Sequence, residues 1–111
     1  GLFASSFAGG LAKIDENGVT VILDENNPVV QKITSIKKTR DGLWMASYGT
    51  VNSLHLLKAD NQLSSFSANN VAGRFPFKIE TDLSGNIWML LSEAGGGGVQ
   101  IFNKEGSPVK L

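Results

Sequence analysis

The chain has 111 residues and balances ten Lys and Arg residues against ten Asp and Glu residues, so its formal net charge at pH 7 is zero. The absence of a basic run argues against nucleic acid as a partner, and the absence of an apolar run of roughly 20 residues argues against direct membrane insertion. Cysteine is absent, which excludes disulfides, thiolate zinc sites and a thiol nucleophile.

The N-terminal segment, residues 1–27, has the pattern of the end of a β repeat. Residues 11–18 form a short apolar strand that runs into a polar turn containing Asp15 and Gly18. The same strand and turn recur at residues 54–61 and 99–106. We therefore expect the chain to begin inside one repeat.

The middle segment, residues 28–70, predicts a full repeat of four strands. The turns between these strands carry Gly, Asn and Asp, which tolerate the positive φ of tight hairpins better than other residues. The four predicted strands are residues 33–38, 43–47, 54–58 and 62–66.

The last segment, residues 71–111, predicts a nearly complete repeat, joined to the middle one by a linker over residues 67–76. Residues 87–91 are apolar at every position, a pattern that predicts a strand buried on both faces. The four predicted strands are residues 77–81, 87–91, 99–103 and 108–111.

Two tryptophans in matching contexts set the period of the repeat. Trp44 and Trp88 each follow a turn that contains a glycine and each precede a methionine. Their spacing matches one β-propeller blade of about 40–45 residues. The prediction is an all-β fold of about two and a half blades, each of four antiparallel strands, in an incomplete ring, because about four blades are needed for closure. Its open edges require the remaining blades of a parent propeller or other copies of the chain as partners.

Residues 79–88 read Ile-x-x-Asp-x-Ser-Gly-Asn-Ile-Trp, and residues 98–102 read Gly-Val-x-Ile-Phe. This pattern resembles the two-component-regulator propeller repeat, and the resemblance covers essentially the whole chain. The middle copy departs from it, with Thr39 in place of the aspartate and a turn one residue shorter. The resemblance implies signal transduction in the periplasm or at the cell surface, with recognition of a glycan or a protein partner and no cofactor.

Three functions follow from this reading. The first is a non-enzymatic recognition segment of a sensor propeller. The second is a structural scaffold of a cell-surface or type IX secretion complex, because related propellers occur in secretion machinery. The third is an enzyme similar to the virginiamycin-type lyases, whose glycine-tryptophan turns are also similar. The lyase reading requires His55, the only histidine, as an exposed base beside a carboxylate, and its place inside a strand favours a structural role instead.

The longer loops all emerge at one end of the predicted blades, and function concentrates on long loops. They combine aromatic surface with hydrogen-bonding groups, which suits a glycan or protein partner. The predicted contact residues are Tyr48, Asn52, Asn70, Arg74, Phe75 and Glu93.

Other conspicuous residues have structural interpretations. The predicted structural repeat positions are Trp44 and Trp88, both expected in the core, with Gly42, Gly85 and Asp82. The turn acids Asp15, Asp41, Asp60, Asp82 and Glu105 lack the spacing of a calcium loop and are expected to cap turns. Glycines 95–98 lack the Lys-Ser/Thr of a phosphate loop, and Lys37, Lys38 and Arg40 are expected to be solvated. No metal site is predicted.

Overall fold

The structure is a computed structural model that describes residues 2–5, 10–16, 18–23, 32–48, 52–68, 71, 75–92 and 98–109. Within these residues, eleven strands form three antiparallel sheets, and the strands of each sheet are hydrogen-bonded in chain order. The first sheet contains β1 (Leu2–Ser5), β2 (Leu11–Asp15) and β3 (Gly18–Leu23). The second contains β4 (Ile33–Thr39), β5 (Gly42–Ser47), β6 (Leu54–Leu57) and β7 (Leu63–Phe66). The third contains β8 (Pro76–Thr81), β9 (Ile87–Leu91), β10 (Gly98–Phe102) and β11 (Pro108–Val109).

The predicted all-β class is confirmed, and both predicted four-strand groups form antiparallel sheets. Strand limits differ from the prediction by one or two residues at most where the structure describes them. Pro76, predicted in a linker, is the first residue of β8, a position where a strand tolerates the missing N–H of proline. The blade arrangement and the incomplete ring remain predictions.

The second and third sheets repeat one another in their backbone details. Trp44 lies opposite Leu56 in the second sheet, and Trp88 lies opposite Ile101 in the third. The first strand of each sheet has a register shift at its start, between Ile33 and Ser35 and between Pro76 and Lys78. The sequence repeat therefore corresponds to a structural repeat, down to its irregularities.

Two apolar clusters join the three sheets face to face. The cluster between the first and second sheets contains the buried residues Leu11, Leu23, Ile33, Leu43, Met45 and Leu57. The cluster between the second and third sheets contains Trp44, Ala46, Leu54, Leu56, Val71, Ile79, Ile87, Met89, Leu91 and Phe102. The second sheet thus buries both of its faces, which fits its nearly unbroken apolar strands.

The strands β4 and β8 lie side by side and link the second sheet to the third through polar contacts. The backbone N–H of Ile79 donates to Oγ of Ser35 at 3.2 Å. Nζ of Lys37 lies 3.5 Å from a carboxylate oxygen of Glu80, and the lysine charge lowers the pKa of that carboxyl. Lys37 therefore lies in a strand, as predicted, and its side chain is 41% exposed to solvent while it forms this ion pair.

Glycine is required where two turns approach neighbouring chain segments. Gly42 has a φ of 139°, and a Cβ there would overlap the carbonyl oxygen of Leu57. Gly106 has a φ of 86°, and a Cβ there would overlap the ring of Phe66 on the second sheet. Both positions combine a backbone that favours glycine with space that admits no side chain.

The expectation that both tryptophans are buried is wrong for one of them. Trp44 is 1% exposed, whereas Trp88 is 37% exposed. The third sheet covers Trp44, but in the described part of the chain no sheet covers the face that carries Trp88. Strand β9 is accordingly buried on one face only, with Ile87, Met89 and Leu91 inward.

Candidate functional site

Two of the six predicted contact residues meet where the second and third sheets adjoin. The ring centroids of Tyr48 and Phe75 are 5.3 Å apart with an angle of 46° between the planes, within the range of favourable aromatic pairs. Both residues are half-buried, so each combines packing with exposed surface. We call Tyr48, Phe75 and the adjacent Lys32 the aromatic junction.

The positions of these residues follow from the repeated strand geometry. Tyr48 directly follows β5, and its N–H donates to the carbonyl oxygen of Lys32, just before β4, at 3.1 Å. In the third sheet, the N–H of Ser92 donates in the same way to the carbonyl oxygen of Phe75 at 2.9 Å. The same hydrogen bond therefore closes both sheets at the same end and holds the aromatic junction in place.

Lys32 is a member of the junction that the sequence analysis did not single out. Its Nζ lies 6.0 Å from the ring centroid of Tyr48, at the outer limit of a cation–π contact. Lys32 and Phe75 occupy the same position, one residue before the first strand of a sheet. The sequence predicts the start of β8 one residue later, at Phe77, so the correspondence became visible only in the structure.

Ser92 follows β9 at the end of the third sheet that carries the junction, because its backbone N–H donates to the carbonyl oxygen of Phe75. The Oγ of Ser92 is buried and has no hydrogen-bond partner among the described residues.

The other predicted contact residues are not part of the described junction. The carbonyl oxygen of Asn52 accepts a hydrogen bond from Oγ of Ser47 at 3.2 Å, so its backbone serves an internal network. Asn70, Arg74 and Glu93 lie outside the described residues. Their proposed contacts remain predictions.

His55 lies in the core of the second sheet with a serine on each side. Its Nε2 is 2.9 Å from Oγ of Ser47, and its Nδ1 is 2.8 Å from Oγ of Ser65. The side chain is 0% exposed, and burial lowers the pKa of His55 to about 4. The imidazole is therefore neutral at pH 7 and occupies a satisfied polar site in the core, which agrees with the structural role expected for it.

The turn acids act as caps where the structure resolves their contacts. Oδ1 of Asp82 accepts hydrogen bonds from the backbone N–H groups of Ser84 and Asn86, each at 2.9 Å. Oδ1 of Asp60 accepts one from the N–H of Gln62 at 3.0 Å. These contacts confirm the expected capping for the two aspartates.

The described ranges contain no group of three or more His, Asp or Glu residues placed to hold a metal ion. No helix among those residues has the length and apolar character needed to cross a membrane. Of glycines 95–98, only Gly98 is described, and it begins β10.

Comparison with known proteins gave no relatives: no protein-family model matches the chain, and no curated protein or solved structure is significantly similar to it. Any assignment of function therefore depends on the chain's own residues and geometry.

Proposed function

We propose that this chain is a non-enzymatic recognition segment of a β-propeller sensor, which binds a glycan-like ligand or a protein partner at the end of the sheets that carries the aromatic junction. By its resemblance to the two-component-regulator repeat, the segment acts in signal transduction in the periplasm or at the cell surface. The observation that carries the proposal is the pairing of Tyr48 with Phe75.

The composition of the aromatic junction suits recognition. Aromatic faces pack against the apolar faces of sugars, while the ammonium group of Lys32 and the hydroxyl group of Tyr48 supply hydrogen bonds. Aromatic and cationic residues are also enriched in the centres of protein interfaces. The aromatic junction contains residues from both the second and the third sheet. Binding of a molecule there would therefore depend on how the two sheets are placed relative to one another.

The propeller arrangement is supported by the way the sheets succeed one another. The second and third sheets each pack one face against the preceding sheet. Met45 and Met89 occupy equivalent positions on these two faces. The opposite face of the second sheet is covered by the third, whereas none of the described sheets covers the corresponding face of the third sheet, with Trp88. A further sheet of the same kind would cover it, as in a propeller with more blades.

The absence of catalysis in this proposal is supported by the surroundings of His55. A lyase-like mechanism needs an exposed base beside a carboxylate, whereas His55 is buried between two serine hydroxyls. Both ring nitrogens of His55 form hydrogen bonds inside the core of the second sheet.

Thermal melting against a panel of neutral oligosaccharides tests the proposal, because a ligand that binds the native state raises its melting temperature. We expect a saturable rise for a subset of the panel. Tyr48→Ala should abolish the rise, and Tyr48→Phe should retain most of it. Leu83→Ala, at a fully exposed turn residue on the other end of the third sheet, is the matched control and should change nothing.

A constitutive scaffold is the second candidate, and the open face around Trp88 favours it. No rise with any oligosaccharide, together with self-association that Trp88→Ala abolishes, would support the scaffold and contradict the sensor.

A further inference from the structure

A cavity of about 310 Å³ lies between the first and second sheets, at the opposite end of the second sheet from the aromatic junction. Its rim includes the turn after β4 and the turn after β6. The volume is at the lower end of the range for small-molecule sites, about 300–1,000 Å³. The cavity is therefore large enough for one small ligand.

The cavity coincides with two positions at which the repeat changes. In the second sheet, Trp44 is paired with Leu56, and both fill the space toward the third sheet. At the equivalent positions of the first sheet, Phe3 is paired with Lys13. The ring of Phe3 is smaller than that of tryptophan, and Lys13 is exposed where its equivalent Leu56 is buried. Both Phe3 and Lys13 line the cavity.

Four cationic side chains converge on this cavity from different parts of the chain. They belong to β2, to β4 and the turn after it, and to the segment after β6. Four of the ten Lys and Arg residues of the chain therefore line this one cavity, although the formal net charge of the chain is zero. Asp41 is the one carboxylate among the described residues of the lining. The four cations are Lys13, Lys38, Arg40 and Lys58.

No ion pair that involves one of these four cations is found among the side chains that the structure describes. The ion pairs found there join Glu80 to Lys37 and to Lys78. Like charges lining one cleft repel one another, and low-dielectric walls concentrate their combined potential. A bound anion relieves this repulsion, whereas a neutral or cationic molecule does not.

The inner wall of the cavity is apolar. It contains the side chains of Phe3, Ile22, Leu43 and Leu57. A ligand that places a ring against this wall and an acidic group toward the rim would satisfy both parts of the site. Ring-shaped small molecules with one acidic group, such as acidic sugars, have this character.

We propose that this cavity binds a small molecule that carries an oxyanion on a ring-shaped body, with Lys13, Arg40 and Lys58 receiving the oxyanion. The site is separate from the aromatic junction and independent of the function proposed for it.

Isothermal titration calorimetry of the full chain with glucuronate tests this proposal, with glucose as the uncharged counterpart. We expect saturable binding of glucuronate and none of glucose, and competition by inorganic sulfate. Lys13→Gln and Arg40→Gln should each weaken glucuronate binding at least fivefold. Lys104→Gln removes an exposed lysine from the corresponding turn of the third sheet and should change the affinity less than twofold.

Amide chemical shifts locate the binding. Shifts in residues 39–42 and 58–61 that saturate with glucuronate would support the site. Shifts confined to Tyr48 and Phe75 would overturn it and leave the junction as the ligand site. The proposal also fails if sulfate does not displace glucuronate, if Lys104→Gln weakens binding as much as Lys13→Gln, or if no saturable binding occurs.

Discussion

The carboxylate of Asp82 accepts a hydrogen bond from the indole Nε1–H of Trp88 at a distance of 2.9 Å. The same carboxylate also receives hydrogen bonds from Ser84 and Asn86, so one side chain ties the turn to the strand that follows it. The tryptophan of this motif thus has a polar function in addition to its apolar surface. In the second sheet, Thr39 replaces the aspartate, and its hydroxyl donates to the carbonyl oxygen of Gly42 and accepts from the N–H of Asp41, each at 3.3 Å.

The contacts of Asp82 predict a contribution to acid sensitivity. The hydrogen bond from Trp88, followed by those of Asn86 and Ser84, lowers the pKa of Asp82 in the folded state. Its stabilising contribution is therefore complete above the unfolded-state value of about 3.9 and is lost as the pH falls through the folded-state pKa. Asp82→Asn should flatten the decline of melting temperature with falling pH in this range. An unchanged acid profile, in melts followed by circular dichroism, would contradict the prediction.

His55 predicts a second pH dependence at higher pH. Its pKa is about 6.5 when unfolded and about 4 when folded, because burial disfavours the imidazolium. Stability is therefore complete above about pH 6.5 and declines by about 3 kcal/mol as the pH falls toward 4. Urea unfolding measured across this range should show the decline.

His55→Gln is the matched variant, because Gln100 occupies the equivalent position opposite Met89 in the third sheet. We expect it to fold, to lose the pH dependence assigned to His55, and to cost about 1–3 kcal/mol at pH 7 through altered bonds to Ser47 and Ser65. Retention of the full slope between pH 6.5 and 4 in this variant would refute the assignment to His55.

Gly85 and Gly106 have nearly equal φ angles, so replacing each by alanine distinguishes the cost of backbone strain from the cost of steric overlap. Gly85 (φ 85°) has ordinary space for a Cβ beside Lys104, whereas at Gly106 (φ 86°) the Cβ would overlap Phe66. Gly85→Ala should cost about 1–2 kcal/mol from backbone strain alone. Gly106→Ala should cost about 1–3 kcal/mol more, because the interface between the second and third sheets must shift. Equal unfolding free energies for the two variants would contradict the prediction and show that the interface between the second and third sheets accommodates the added methyl group without cost.

The different burial of the two tryptophans predicts different responses to one substitution. Trp44→Ala should cost about 3–5 kcal/mol, the range for large core residues. Trp88→Ala should cost less than half as much, since 37% of the residue is exposed. Acrylamide quenching of fluorescence checks the exposure directly: the Trp44→Ala variant, which retains Trp88, should be quenched more strongly than the Trp88→Ala variant.

The local structure could be predicted from the sequence because it depends on short-range rules. The strands begin and end where the turns at 39–42 and 83–86 meet the apolar runs between them. The spacing of Trp44 and Trp88 determines the length of the repeat. For the same reason the all-β class and the capping by Asp82 followed from the order of the residues.

The tertiary structure alone decided which faces of the sheets are covered. Two tryptophans in nearly identical local contexts differ in burial, because a neighbouring sheet covers Trp44 and none of the described sheets covers Trp88. The contact of Tyr48 with Phe75 and the convergence of Lys13 with Lys58 join residues far apart in the chain. Such contacts depend on how whole sheets pack, and no local pattern in the sequence encodes that packing.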